Sequence, residues 1–526
     1  MEELDGSTLA NQLQRLVDAG LVRSAEQLGA YALSQQYKWD QQTAATVMES
    51  FADALCRTNQ PRRAVRYFRT ARQMHPSRGD DFVRLTCKIA RAMADYDDAT
   101  GVARTLSDLQ LELLPVDALI LLGRACRDTG RMVLGQQALL QALQSEPFAL
   151  EAIPILASMD VATGDILRAI TAGFGNEKVQ CPLWLAELVN AECQAVNASE
   201  KEALKHFEHV KNTFSTSSLL LGQMGRLHVM QDSFGEARTL FERAHCVDEE
   251  SVDGMDYYAA LLSRENDLED LNSLVYSLKE NAPDRPEPWT AAAFYCHARG
   301  QNDRALLFLD RAMSLKPQLS LAYQLRGRVL LDTGNAASAV EAFQESIRLQ
   351  KDMYSYRGLV EAQLEDNKLN AALHTAREVL EAKPKDTRAL VLTGRVLART
   401  TNGAEKAIRV LKKAVSIRPR MEEAVLELAA AYALNDNHSA AAETLREALR
   451  HVSQSPVVHV RLADACAMIG STEEALKHYH LAAALDPENE DARTGIERLE
   501  QTLHADSMDQ DELDVSDRRD DSDYVT

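Results

Sequence analysis

Residues 289–317 read WTAAAFYCHARGQNDRALLFLDRAMSLKP, with small residues at Ala293 and Ala305, Gly300 between them, then Leu309, Ala312 and a closing Pro317. Two helices approach closely only where neither projects a bulky side chain, so the paired alanines mark a helix–helix crossing. Gly300 supplies the residue type that tolerates a left-handed backbone at a helix C-terminus. Ala305, Leu309 and Ala312 follow the i, i+4, i+7 stripe of a buried helical face. Proline cannot continue a helix, so Pro317 closes the unit. The stretch therefore predicts a helix–turn–helix.

This pattern recurs with a period of 34 residues. Stepping from Gly135 gives Ala169, Ala203, Ala237, Leu271, Ala305, Ala339, Leu373, Ala407, Ala441 and Ala475, so nine of eleven positions are Gly or Ala. Twelve residues earlier stand Gly123, Ala157, Ala191, Gly225, Ala259, Ala293, Gly327, Glu361, Arg395, Ala429 and Ala463. Between the two sites the turn position holds Gly130, Gly164, Ala198, Asp232, Asn266, Gly300, Gly334, Lys368, Asn402, Asp436 and Gly470, mostly residues that accept a left-handed backbone. Large apolar residues follow the second site, among them Leu139, Phe207, Phe241, Phe343, Leu411, Leu445 and Tyr479. Prolines at 147, 283, 317, 419 and 487 end many units.

A self-similar period of this length is the signature of a stacked helical array. The grammar resembles the tetratricopeptide repeat (TPR) family, and Trp289, Ala293, Gly300, Ala305, Ala312 and Pro317 sit at that family's positions. The fold class is thus expected to be all-α, a TPR superhelical solenoid of about fourteen helix–turn–helix repeats with a C-terminal capping helix. The regular array spans 116–489, and divergent units fill 1–115, including one with Ala52, Ala64, Phe68, Ala71 and Pro76. Ala90 and Val102 mark a further unit with a small insertion between 83 and 115. Around Leu373 the register lags by one residue, because Ala372, Ala376 and Pro384 fit the pattern better than their neighbours.

Ala492, Ile496, Leu499 and Leu503 share one face over 490–504, as a capping helix requires, whereas 505–526 carries nine Asp or Glu against two Arg. A segment of that composition cannot bury enough apolar surface to fold and is expected to be disordered. Ser507, Ser516 and Ser522 lie among its acids and are candidates for an acid-directed kinase.

Composition narrows the function classes. With 58 basic and 79 acidic residues the chain carries a net charge of -21, which disfavours nucleic acid and anionic membranes as partners. No apolar run reaches the ~20 residues of a membrane span, and the acidic start at Met1, Glu2 and Glu3 is unlike a signal peptide. The expected location is the nucleus and cytoplasm. The eight cysteines form no C-x-x-C pair and read as small core residues, with Cys126, Cys296 and Cys466 at one buried phase of the repeat. No phosphate loop, H-E-x-x-H, clustered metal-ligand spacing or nucleophile elbow occurs, so neither catalysis, cofactor nor metal is expected. His206 and His209 flank the buried position of Phe207, and His478 and His480 flank Tyr479, so both pairs read as outward-facing.

Binding is the expected role, along the face lined by the first helix of each repeat. Arg124, Arg226 and Arg328 occupy the position after the first small site in units three apart, and guanidinium groups there suit a partner's carboxylates or acids within the array. The Lys and Asn residues of a carboxylate clamp have no counterparts at the equivalent phases.

Residues 254–270 read GMDYYAALLSRENDLED, in a unit without a small residue at its second site. This segment is similar to the subunit 7 family of the anaphase-promoting complex in Gly254, Met255, Asp256, Tyr258, Leu261, Leu262, Arg264, Glu265, Leu268, Glu269 and Asp270. Runs at Pro147–Ile153, Glu287–Trp289 and Arg304–Leu306 agree with it. The resemblance implies a structural, non-catalytic scaffold subunit of a multisubunit cell-cycle ubiquitin ligase, with the other TPR subunits as partners. It also implies a homodimer joined through N-terminal repeats, within roughly the first 180 residues. The long polar insertion that the family carries near the second unit is missing. Another TPR subunit of the same complex, an adaptor of a different assembly, and a transferase bearing a TPR array are the alternative readings.

Overall fold

The computed structural model of the chain describes residues 6–34, 39–74, 79–175, 181–196, 199–451 and 455–501. Among these residues there is helix and no strand. Between Gly6 and Leu485 the α-helices number 28, which in chain order make fourteen pairs of a first (A) and a second (B) helix, and a further helix runs over 490–501. The chain divides into two compact units, Met1–Gln231 and Asp232–Thr526.

In the first unit the helices run from Gly6–Asp18 to Ser218–Met230. Each buries its small and apolar stripe, so Ala64, Phe68 and Ala71 of Pro61–Met74 are at most 1% exposed. Gly123 of Val116–Asp128 makes room for Leu139 of Met132–Ser145: a Cβ on that glycine would overlap the leucine side chain. Between 83 and 115 the Asp80–Ala94 helix pairs with a short nine-residue B helix, Ala99–Ser107, and the expected insertion is the stretch after it, with a 3-10 turn at Leu111–Leu113. Ala90 of Asp80–Ala94 and Val102 of Ala99–Ser107 are both buried in one core cluster.

The second unit repeats the same interlock more regularly. Phe343, 1% exposed, lies between the Ala336–Leu349 helix and two A helices, Ser320–Asp332 and Met353–Glu365. Its ring is accommodated by Gly327, where a Cβ would come within 2.7 Å, and by Gly358, where one would overlap it. Leu411 meets Gly394 and Tyr479 meets Gly495 in the same way. Burying one such large side chain contributes roughly 1.5–3 kcal/mol, and the glycines are what permit the approach. Ala492 at 0% exposure, with Ile496 and Leu499 behind it, covers the last pair as a cap should. Leu503 and Pro76 lie outside the described residues.

The small sites are where the period placed them: Ala203, Ala237, Ala305, Ala339, Ala407 and Ala475 are 0–2% exposed. Gly130, Asp232, Asn266, Gly300, Gly334, Asn402, Asp436 and Gly470 all have positive φ. Each closing proline at 147, 283, 317, 419 and 487 sits two residues beyond the last helical residue.

Four details differ from the sequence reading. Ala152–Ser158 is only seven residues long and the chain turns at Asp160 (φ 56), not at Gly164, which starts the following helix. At the lagging unit the left-handed residue is Asn367 rather than Lys368. Glu361 and Arg395 do not occupy the small site, because Val360 and Gly394 do. Cys246 is exposed, not core. The position expected at Ala198 lies outside the described residues.

The lag has a simple origin. The loop from Leu349 to Met353 holds three residues, where those from Leu315 to Ser320 and from Ala382 to Thr387 hold four. Everything downstream shifts back by one until the turn between Ala398 and Ala404, which is long enough to restore the phase. At the shortened loop a buried polar network replaces apolar packing. Ser320 Oγ lies 2.9 Å from Ser346 Oγ, and Ser346 Oγ lies 2.8 Å from Ser355 Oγ. Asp352 caps the next helix by accepting from Ser355 N–H at 2.9 Å, and also accepts from Ser355 Oγ and from Gln324 Nε2. Burial pushes the Asp352 carboxyl above its ordinary range despite these bonds.

Candidate partner-binding surface

In two stretches, Glu192–Arg226 and Arg328–Glu361–Arg395, the position one residue after the first small site alternates in charge between neighbouring repeats. Arg328 reaches Glu361 Oε2 at 3.4 Å, and both stand at that position once the lag is counted. Arg395 shares it, donating to Glu423 and to Glu427 at 2.7 Å each. In the first unit Glu192 and Arg226 occupy the equivalent sites of adjacent repeats. Glu192 is 9% exposed, and burial raises its carboxyl against the opposing pull of Arg226 and of the Gln223 side chain, 3.2 Å away. Arg124 pairs with Glu151 at 3.4 Å, both groups being well exposed. Each of the three arginines expected to meet a partner therefore already faces an acid of the array.

Within the second unit, side chains from repeats far apart in sequence meet along the A helices. Arg357 lies 3.6 Å from Glu423, and Arg388 lies 3.5 Å from Asp232 while holding Asp386 at 3.1 Å. Burial raises Asp386, but its bonds and charge contact with Arg388 outweigh this and leave the carboxyl below its usual range. Tyr354 is 48% exposed, yet its phenol is raised by desolvation, with Arg328, Arg357 and Arg264 pulling the other way. Tyr354 thus stands near guanidinium groups of three A helices, of which Arg328 and Arg357 are already paired with Glu361 and Glu423. Arg357, Arg388 and Tyr354 were absent from the sequence reading, and Arg264 entered it only through the resemblance in 254–270; no local pattern joins repeats so distant. Arg395 was hidden by the lag.

The segment 254–270 is structural. Gly254, at φ 80, starts the Met255–Arg264 helix, in which Met255, Asp256, Tyr258, Leu261 and Leu262 are buried. Tyr258 stacks on Phe241 with centroids 5.5 Å apart. Arg238 gathers Glu242 at 2.8 Å, Glu265 at 2.5 Å, Asp267 at 2.9 Å and Asp270 at 3.3 Å, which holds Asp267 below the carboxylate range. The acids of this segment thus anchor one repeat to its predecessor's B helix.

Two of the four histidines singled out in the sequence, His206 and His478, have side-chain neighbours. His206 Nδ1 lies 2.5 Å from Glu187, His209 is exposed, and His478 stacks on the buried His459 rather than facing outward. Among the described residues no group of three or more His, Cys, Asp or Glu converges as a metal site would require, and no helix is long and apolar enough to cross a membrane. Ser507, Ser516 and Ser522 lie outside the described residues.

Known proteins agree with this architecture. The tetratricopeptide repeat family matches residues 321–353, 357–420, 400–456 and 430–490. Anaphase-promoting complex subunit 7 of Arabidopsis thaliana is 26% identical over 94% of both chains, and that of Dictyostelium discoideum 23% over 96% of this chain and 92% of its own. The Mus musculus subunit 7 is 27% identical over 68% of this chain and 64% of its own. A crystal structure described as the APC/C hetero-tetramer Cut9-Hcn1 superposes with a TM-score of 0.60 at 15% identity, covering 94% of this chain and 96% of that one, which establishes the shared fold. The chain is thus an all-helical tetratricopeptide-repeat array whose similarity, from end to end, is to subunit 7 of the anaphase-promoting complex.

Proposed function

We propose that this chain works as a non-catalytic TPR scaffold subunit of an anaphase-promoting complex, organising neighbouring subunits of the ligase through protein–protein contacts. The observation that carries the reading is the near full-length match to subunit 7, 94% of each chain, over an array whose helix pairs follow one another from residue 6 to 485. Internal ion pairs engage Arg124, Arg328 and Arg395 of the A helices, so on this reading the surface serves assembly through shape more than through free charge. Catalysis resides in other subunits on this reading.

The chain forms a homodimer through its N-terminal repeats, in roughly the first 180 residues, and residues 1–115, 116–489, 490–504 and 505–526 act as dimerisation end, array, cap and acidic tail. It binds neither nucleic acid nor membrane, in keeping with its net charge of -21. It works in the nucleus and cytoplasm, and Ser507, Ser516 and Ser522 are phosphorylated in the tail. The test is affinity purification of the tagged chain from mitotic cells with mass spectrometry, together with light scattering of the isolated protein. Recovery of the other ligase subunits with a mass of twice 58.3 kDa supports the reading. A monomer accompanied by an unrelated set of proteins refutes it.

A further inference from the structure

The unit that lags also contains a cavity that the repeat grammar does not ask for. Between the B helices Ala336–Leu349 and Leu369–Ala382, with Met353–Glu365 as floor, lies a pocket of about 370 Å³. Its floor holds Gln363, 4% exposed, three residues beyond the small site at Val360. At the same phase other repeats bury Cys126, Leu262, Cys296 and Cys466 and half-bury Leu330 and Leu397, while Gln194 and His228 stand there as half-buried polar residues. A carboxamide in that place introduces polar atoms that must be satisfied.

One end of the Gln363 amide is satisfied, because Thr375 Oγ1 lies 3.1 Å from its Oε1. Thr375 also lies 3.1 Å from Ala371 O, a helical carbonyl that takes the single hydroxyl proton equally well. The amide is therefore held in place with either its oxygen or its nitrogen on the threonine. Among the described residues nothing bonds its other end, which belongs to a residue lining the pocket. Beside it Tyr356 and the exposed Glu378 and His374 line the pocket, and Ile347 and Leu359 supply apolar wall.

We infer that this pocket reads a carboxamide: the glutamine or asparagine side chain of a partner protein. A carboxamide completes the Gln363 amide in both of its orientations, accepting from the nitrogen or donating to the oxygen, and in each it keeps a further N–H, where a hydroxyl has a single proton. Its second N–H meets the Glu378 carboxylate, while its methylene stem lies on Ile347 and Leu359. A carboxylate of the same shape is repelled by Glu378 and a thioether leaves the buried amide unbonded, so both are rejected. This specificity is independent of which assembly the chain belongs to.

The test uses the full chain and three small probes at neutral pH: N-acetyl-glutamine methylamide and its glutamate and methionine counterparts, titrated by ligand-observed NMR. The glutamine probe is expected to bind about tenfold tighter than either isostere, the ratio that two modest hydrogen bonds provide. Gln363→Met should erase that preference with the melting profile retained. Should that variant melt early, Thr375→Val, which frees the amide to rotate, is read instead and should lower the preference severalfold. Equal binding of the three probes, no saturable binding of the glutamine probe up to its solubility, or an undiminished preference in whichever variant is read overturns the inference.

Discussion

Adding one methyl group at Gly358 tests the packing logic of the whole array. Alanine in place of glycine inside a helix normally stabilises by ~1 kcal/mol. Here the new Cβ overlaps the Phe343 ring, which cannot swing away because Gly327 already admits its other side at the distance of close contact. Overpacking costs about 1–3 kcal/mol, so Gly358→Ala should destabilise the wild-type chain by ~1 kcal/mol after the helical gain is subtracted. Phe343→Ala alone removes a ring that is 1% exposed and should cost ~3–5 kcal/mol. In that background the added methyl enters vacated space, and Gly358→Ala should become stabilising by ~1 kcal/mol, a coupling of ~2 kcal/mol with reversed sign. Because stacked repeats open locally, the quantity to measure is amide hydrogen exchange in 320–365, not a global midpoint. Additive effects, with a coupling inside about 0.5 kcal/mol of zero, would show that the glycines are not there to seat the ring.

Asp352 gives a pH signature. Its carboxyl is raised by burial, so its contribution to stability is fully present below the ordinary aspartate value and is lost as pH rises through the folded value. Asp352→Asn keeps a helix-capping oxygen, and should raise the urea midpoint of the second unit at neutral pH while giving no gain at pH near 3.5; a gain equal at both pH values contradicts the assignment. Arg395→Ala removes the partner of Glu427 and one of the two partners of Glu423, which keeps Arg357; the three groups are only 23–32% exposed, and the change should lower stability by about 1–3 kcal/mol, read by hydrogen exchange in 387–433. Thiol alkylation followed by mass spectrometry of the native chain at pH 8 should label the exposed Cys246 and spare Cys56, whose thiol burial pushes up to about 12. Comparable labelling of the two would mean the array opens around Cys56.

How far the sequence could be read depended on the range of the interactions concerned. Ala305, Gly300 and Pro317 each act within one helix pair, and a period that does not drift carries their meaning to every copy, so the repeats, their number and the cap at Ala492 were visible without coordinates. At Asp160 the short helix broke the count, because a left-handed aspartate does as well as the glycine four residues on. The identities of Arg124, Arg226 and Arg328 were legible, but not the acids that face them, since Glu151 and Glu361 lie in neighbouring repeats and their approach depends on stacking.

What the sequence determined by itself is therefore the all-helical repeat architecture, the absence of a recognisable catalytic or metal motif, and the subunit 7 resemblance in 254–270, all carried by local spacing. What only the tertiary structure decided is the meeting of Arg388 with Asp232 and of Arg357 with Glu423, the guanidinium groups near Tyr354, and the cavity above Gln363. The reason is geometric: contacts within a pair repeat with the chain, whereas contacts between distant repeats depend on the small rotations accumulated from one pair to the next. A one-residue loop deletion such as that before Met353 alters those rotations while leaving the pattern of small residues almost intact.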